Sequence, residues 1–270
     1  PSLVGSEMCI RDSMNSGHGI MDRITERITE IQRRLELHGA NIIETNKVTD
    51  YALRYVISHE GDIEDMARHI EEIDSVEILS LGNGLELIKD LGDANEVSDA
   101  YGLEGFDGTH AIGHTRMATE SDVDIRSAHP YWAFPYNDVS LVHNGQITNY
   151  WIMRREMERK GHRFMSDCDS ELLAVYTAHN LANGISLEKT LQQSIEEIDG
   201  VFTYLVATKD QLGMAKDAMA RNLPPQGKRT RPKDAVGKLF GQRPAILFMA
   251  FSLGTSFRYG LRRCPRSCSP

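Results

Sequence analysis

The chain has 270 residues, 40% hydrophobic and 26% charged, with a formal net charge of −9. That is the profile of a soluble globular protein with room for one large domain or two ordinary ones. No apolar run approaches the roughly 20 residues of a membrane span, no basic-then-apolar leader marks a secretory signal, and four scattered cysteines exclude a disulfide framework and suit the cytoplasm.

In chain order, the first clear element is an amphipathic helix over 20–38, where Ile20, Ile24, Ile28, Ile31 and Leu35 recur at spacings of three and four. Residues 41–46 and 52–58 are short and β-branched enough for strands, and 62–73 has helical character. VEILSL at 76–81 and LELIKDL at 85–91 flank Gly82-Asn83-Gly84, the pattern of a hairpin. HAIGHTR then reads as a strand running into a loop, and SLVHNG as a strand running into a turn. Helices are expected over 149–161, Ser170–Leu181 and Leu187–Ile198, followed by a hairpin from Val201 to Asp217 turning at Lys209-Asp210. Strands and helices mix without a regular βαβ alternation, which favours an α+β layered sandwich over a doubly wound sheet.

Charge divides the chain sharply. From Arg221 onward 11 Lys and Arg face one acid, whereas 19 face 38 before it, and six of the nine prolines lie in that tail. A break of this kind marks a boundary, so residues 14–220 are expected to form the domain and 221–270 a basic, Pro-rich tail, non-native or disordered. Basic runs also bind phosphates, but the tail has little aromatic interleaving, so no nucleic-acid partner is expected.

Four segments between residues 110 and 171 concentrate chemistry: Gly113-His114-Thr115-Arg116-Met117-Ala118-Thr119, Ala128-His129-Pro130, His143-Asn144-Gly145, and Ser166-Asp167-Cys168-Asp169-Ser170-Glu171. Each has an ordinary reading. Asn-Gly is a turn signal, Arg116 an ion-paired surface residue, and Asp167 or Asp169 a helix cap with Glu171 completing a capping box. His110 and His114 are four apart, but residue 111 is Ala where a zinc helix has Glu, and Cys264 and Cys268 lack a second pair, so no metal is expected.

Together, GHTRMATES, AHP, LVHNGQITNY and SDCDSE resemble, in order and approximate spacing, the class II glutamine amidotransferases. The resemblance runs from about Val76 to Asp217 and is nearest to glutamate-synthase-like subunits, including those associated with N-methylglutamate synthesis. It implies a four-layer αββα sandwich of the N-terminal-nucleophile hydrolase type, here incomplete at both ends. It also implies glutamine as substrate, no cofactor, and ammonia passed to a synthase domain or subunit such as a flavin and iron–sulfur glutamate-synthase-like partner. By that resemblance Asn144 and Gly145 supply the oxyanion hole, Arg116 the anchor for the glutamine α-carboxylate, and Asp169 the receptor for its α-ammonium. Thr119 and His129 fall at pocket or structural positions.

The family's nucleophile is a terminal cysteine followed by glycine. Cys9 is followed by Ile10, and residues 1–13 resemble translated sequencing adapter, so they are expected to be a non-native leader without the nucleophile. Cys168 is internal and has no adjacent base in sequence. The alternative function is a non-catalytic amidotransferase-like binding or regulatory subunit.

Overall fold

The computed structural model describes residues 3–12, 20–48, 52–106, 108–115, 125–217, 236–239 and 245–246. Two antiparallel sheets carry the architecture, each covered by its own helices, which places the chain in the α+β class expected from its mixed element order.

The first sheet has the order β2-β3-β1-β4, from β1 (Leu3–Asp12), β2 (Asn41–Lys47), β3 (Ala52–His59) and β4 (Val76–Gly82). Helix α1 (Ile20–Leu37) and helix α2 (Ile63–Glu71) supply its apolar cover: Ile31 and Leu35 from α1 and Met66 and Ile70 from α2 pack with Tyr55, Ile57, Ile78 and Leu81. Asp62 starts α2 by accepting from the Glu64 and Asp65 amides, satisfying two donors that no helical carbonyl can reach. Strand β1 comes from the segment read above as a leader, and its backbone pairs on both sides. Cys9 stands opposite Arg54 on β3 and Ser80 on β4.

The second sheet has the order β10-β9-β8-β7-β6. Its strands are β6 (Tyr131–Trp132), β7 (Val139–Ile147), β8 (Gly200–Thr208), β9 (Leu212–Lys216) and β10 (Val236–Leu239). Helices α4 (Tyr150–Arg159), α5 (Asp169–Ala182) and α6 (Leu187–Glu197) share its core. Residues Ser170 to Ala178 of α5 are all buried, so this helix is interior rather than amphipathic. Helix α3 (Ala94–Tyr101), which the sequence reading did not anticipate, begins with a reciprocal capping box between Asp93 and Glu96. Strand β5 (His110–Ala111) pairs in parallel with β11 (Ala245–Ile246). Of the basic tail, only β10 and β11 are described.

The hairpin expected over 76–91 is not formed. Strand β4 is there, but 85–91 is irregular, because an acceptor distant in sequence captures the loop. Asp138 Oδ1 accepts from the amides of Asn83, Gly84 and Leu85, and Ser80 Oγ accepts from the Leu87 amide. We predict that Asp138→Ala lowers stability by ~1–3 kcal/mol, the scale for several amide bonds to a carboxylate. Thermal unfolding reads this, and an unchanged midpoint would show that the loop holds without Asp138.

Candidate functional site

Strand β7 carries the site because its two neighbours have unequal lengths. Strand β8 pairs with it from Val139 to Ile147, whereas β6 meets only Ser140 and Leu141. Beyond Leu141 this edge of the strand is open among the described residues, and Asn144, Gly145 and Gln146 are exposed between buried His143 and buried Ile147. The turn expected at His143-Asn144-Gly145 is absent, since the strand continues through Ile147.

Glycine is needed at 145 for a different reason from the one the sequence suggested. Its φ is +137°, and a Cβ there would stand 2.0 Å from the Val201 carbonyl oxygen and 2.7 Å from Phe202 Cα. The close approach is to the backbone of β8. Phe202, opposite Gly145, donates its N–H to Asp217 Oδ2 and accepts from the Asp217 amide, so its main-chain groups serve the β9 side. Gly145 is then the non-hydrogen-bonded member of an antiparallel pair, and alternation turns its N–H toward the open edge. Ile147 shares that parity, and its N–H points the same way, donating to Asp169 Oδ2 at 2.9 Å.

Asp169 thus comes to the end of β7, and the cap reading of this segment fails. The residue at the N-cap position of α5 is Cys168, with no side-chain cap bond, and Asp169 is the first helical residue. Asp167 pairs with Arg154 at 2.9 Å. The Glu171 carboxylate turns back to accept from the amides of Met165 and Ser166 and from Ser166 Oγ, and burial raises its pKa despite those donors. Cys168 is a free, half-buried thiol whose Sγ lies 3.8 Å from Asp169 Oδ1.

Behind the exposed tripeptide lies a buried polar cluster that sequence reasoning missed. Ser170 Oγ sits 2.8 Å from His143 Nδ1 and 3.1 Å from His129 Nε2. The His129 ring stacks on His114 with centroids 4.2 Å apart. His129 is therefore an interior residue of this cluster, joined to β7 through Ser170. Arg116 and Thr119 lie outside the described residues. The structure joins Asp169 to β7 at Ile147 and His129 to Ser170, which meets His143; Asn144 and Gly145 lie along the strand between those two attachments. Among the described residues no group of three or more His, Cys, Asp or Glu could hold a metal ion, and no helix is long and apolar enough to cross a membrane.

Burial holds the His143 imidazole down to about 4 from the usual 6.5; Asp169 opposes the depression and His114 adds to it. The ring is neutral at pH 7. An unfolded chain takes up this proton near 6.5 and the folded one refuses it until about 4, so the stability contributed by the neutral ring is complete above that window and lost as pH falls through it. We predict a falling thermal midpoint across that range, with a shallower slope in His143→Gln. Equal slopes in the two proteins would show that His143 does not cause it.

A glutamine amidotransferase domain family matches residues 114–222. A putative glutamine amidotransferase of Methanothermobacter thermautotrophicus is 43% identical over 179 residues, 64% of this chain and 59% of that protein. The glutamine amidotransferase-like protein GlxB of Rhizobium meliloti is 37% identical over 145 residues, 54% of this chain and 48% of its own length. The chain therefore spans about half to three-fifths of these relatives. Among solved structures, a glutamine phosphoribosylpyrophosphate amidotransferase from B. subtilis, complexed with ADP and GMP, is similar at 16% identity and a TM-score of 0.33. That match covers 78% of this chain and 37% of the other.

Proposed function

Residues 114–222 belong to the glutamine amidotransferase domain family, and from that premise we propose that the site on β7 and α5 binds glutamine and stabilises the oxyanion formed when its amide nitrogen leaves as ammonia. The observation that carries this reading is the exposed stretch Asn144-Gly145-Gln146 near the end of β7, with the Asp169 carboxylate bonded to the strand two residues beyond Gly145, at the Ile147 N–H. Two candidate donors and a carboxylate attached to the same strand are the groups that glutamine hydrolysis asks of a site: donors where negative charge develops, and an anion for the α-ammonium. Arg116 completes the pocket as a bidentate partner of the α-carboxylate, with Thr119 and His129 supporting it.

In this reading the attacking thiol comes from a terminal cysteine followed by glycine, whose own amine serves as base. None of the four cysteines is followed by glycine, so neither Cys9 nor Cys168 is assigned the role. The second reading is a non-catalytic subunit that binds glutamine and regulates a partner. In the catalytic reading, ammonia passes to a synthase domain or subunit of the glutamate-synthase-like type, in the cytoplasm. The domain is taken as 14–220, although β1 and β10, outside those bounds, pair with its two sheets.

Glutamine binding needs no nucleophile, so calorimetric titration of the chain as it stands tests the pocket. We predict saturable binding of glutamine, weakened roughly tenfold or more by Asp169→Asn and by Arg116→Lys, the scale of losing one charge-assisted contact. Folded variants with unchanged affinity would remove both residues from the pocket.

A further inference from the structure

Two consecutive residues of α5 hold β7 on either side of the exposed tripeptide. Asp169 Oδ2 accepts the Ile147 N–H at one end, and Ser170 Oγ meets His143 Nδ1 at the other. Asn144, Gly145 and Gln146 lie between these attachments.

The hydroxyl of Ser170 has one proton and two lone pairs, and three groups compete for them: His143 Nδ1 at 2.8 Å, His129 Nε2 at 3.1 Å and Asp169 Oδ1 at 3.4 Å. Three facts choose among the arrangements. His143 Nε2 is buried without a hydrogen-bond partner among the described residues. A proton there would be an orphaned donor, costlier than an orphaned lone pair. Asp169 Oδ1 lies 3.7 Å from His143 Nδ1, which favours a proton on Nδ1. His143 then donates from Nδ1 to Ser170 Oγ, which leaves the serine proton for Asp169 Oδ1 or His129 Nε2 and does not alter the tautomer of His143.

We infer that Ser170 is a positioning residue: its buried hydroxyl fixes His143 as the Nδ1–H tautomer, ties β7 to α5 and to the segment bearing His129, and so holds Asn144 at the open edge. Its value to catalysis rests on the proposed oxyanion role of Asn144, whereas the tautomer assignment does not. With His143 anchored inward, strand alternation turns Asn144 to the opposite face. A loose His143 leaves the tripeptide tied to α5 only at Ile147, beside its pairing with β8, and displacement of a donor by about 1 Å can cost on the order of 100-fold in rate.

The test is two-bond 15N–1H correlation of the histidine rings in the intact chain near pH 7.5, with His143→Gln for assignment. His143 is expected as the neutral Nδ1–H tautomer, Ser170→Ala is expected to shift it toward Nε2–H or to mixed tautomers, and Ser170→Thr is expected to retain it by keeping the hydroxyl. An Nε2–H tautomer of His143 in the unaltered chain overturns the inference without any variant having to fold. So does a folded Ser170→Ala with an unchanged tautomer, even if its melting point falls. In a form bearing the cysteine nucleophile, Ser170→Ala is expected to lower kcat about tenfold with KM for glutamine nearly unchanged, and Ser170→Thr to restore it. A loss confined to KM contradicts the positioning role. Absence of glutamate release from every form defeats the proposed function and leaves the spectroscopic result to decide the tautomer.

Discussion

Gly145→Ala is expected to break the β7–β8 corner, either preventing folding or lowering stability by ~3 kcal/mol or more, because two penalties add. The added methyl would lie 2.0 Å from the Val201 carbonyl oxygen, a backbone atom that cannot step aside without parting the strands. The φ of +137° is also one that alanine rarely adopts. The approach is mutual, since a Cβ on Gly200 would stand 2.2 Å from the Gln146 carbonyl oxygen. Denaturant unfolding of Gly145→Ala beside the parent chain measures the effect. A loss below about 1 kcal/mol, within the ordinary range for surface changes, would mean that β8 can relax and that glycine is not required by this contact.

The second large effect is catalytic. In a form with a terminal cysteine nucleophile, Asn144→Ala is expected to lower kcat by ~10²–10³-fold while leaving KM for glutamine nearly unchanged, since an oxyanion donor contributes mainly in the transition state. Stability should hardly change, because Asn144 is exposed on the open edge and has none of the backbone constraint of its neighbour. Steady-state glutamate production separates the two quantities. A variant that keeps its turnover while melting earlier would assign Asn144 to the strand alone.

The sequence made some of this legible and hid the rest for identifiable reasons. Helix α1 was readable because isoleucines repeat at helical spacing, and the β8–β9 hairpin because Lys209-Asp210 interrupts two apolar runs. The pattern LELIKDL has the apolar content of a strand, yet it is irregular because Asp138, some 50 residues later, takes the amides of Asn83, Gly84 and Leu85. Local chemistry carries no sign of that acceptor. Asn144-Gly145 reads as a turn because both residues tolerate positive φ. The structure uses that tolerance once, at Gly145, to let two strands pass closely while the strand continues.

The site divides in the same way. Asn144, Gly145 and Asp169 could be named from motifs, but their spatial relation could not, since the Ile147 N–H that joins them to α5 is a backbone group with no sequence signature. Ser170 and His143 were passed over because a serine in an acidic helix start and a histidine ending an apolar run are each unremarkable alone. Only the packing of α5 on β7 brings them to 2.8 Å. The closing signal in the sequence was the run of small and apolar residues after Asp169, which marks a buried helix and hence buries whatever polar group its first turn carries.

The measurement that bears most directly on the central claim is glutamate release from glutamine by a form in which a Met-Cys-Gly start and family-type C-terminal strands replace residues 1–13 and 221–270. Processed turnover that is abolished by replacing that cysteine, and cut at least about a hundredfold by Asn144→Ala, is the expected result. A folded form that binds glutamine by calorimetry but releases no glutamate would contradict the catalytic reading and assign the site to binding or regulation instead.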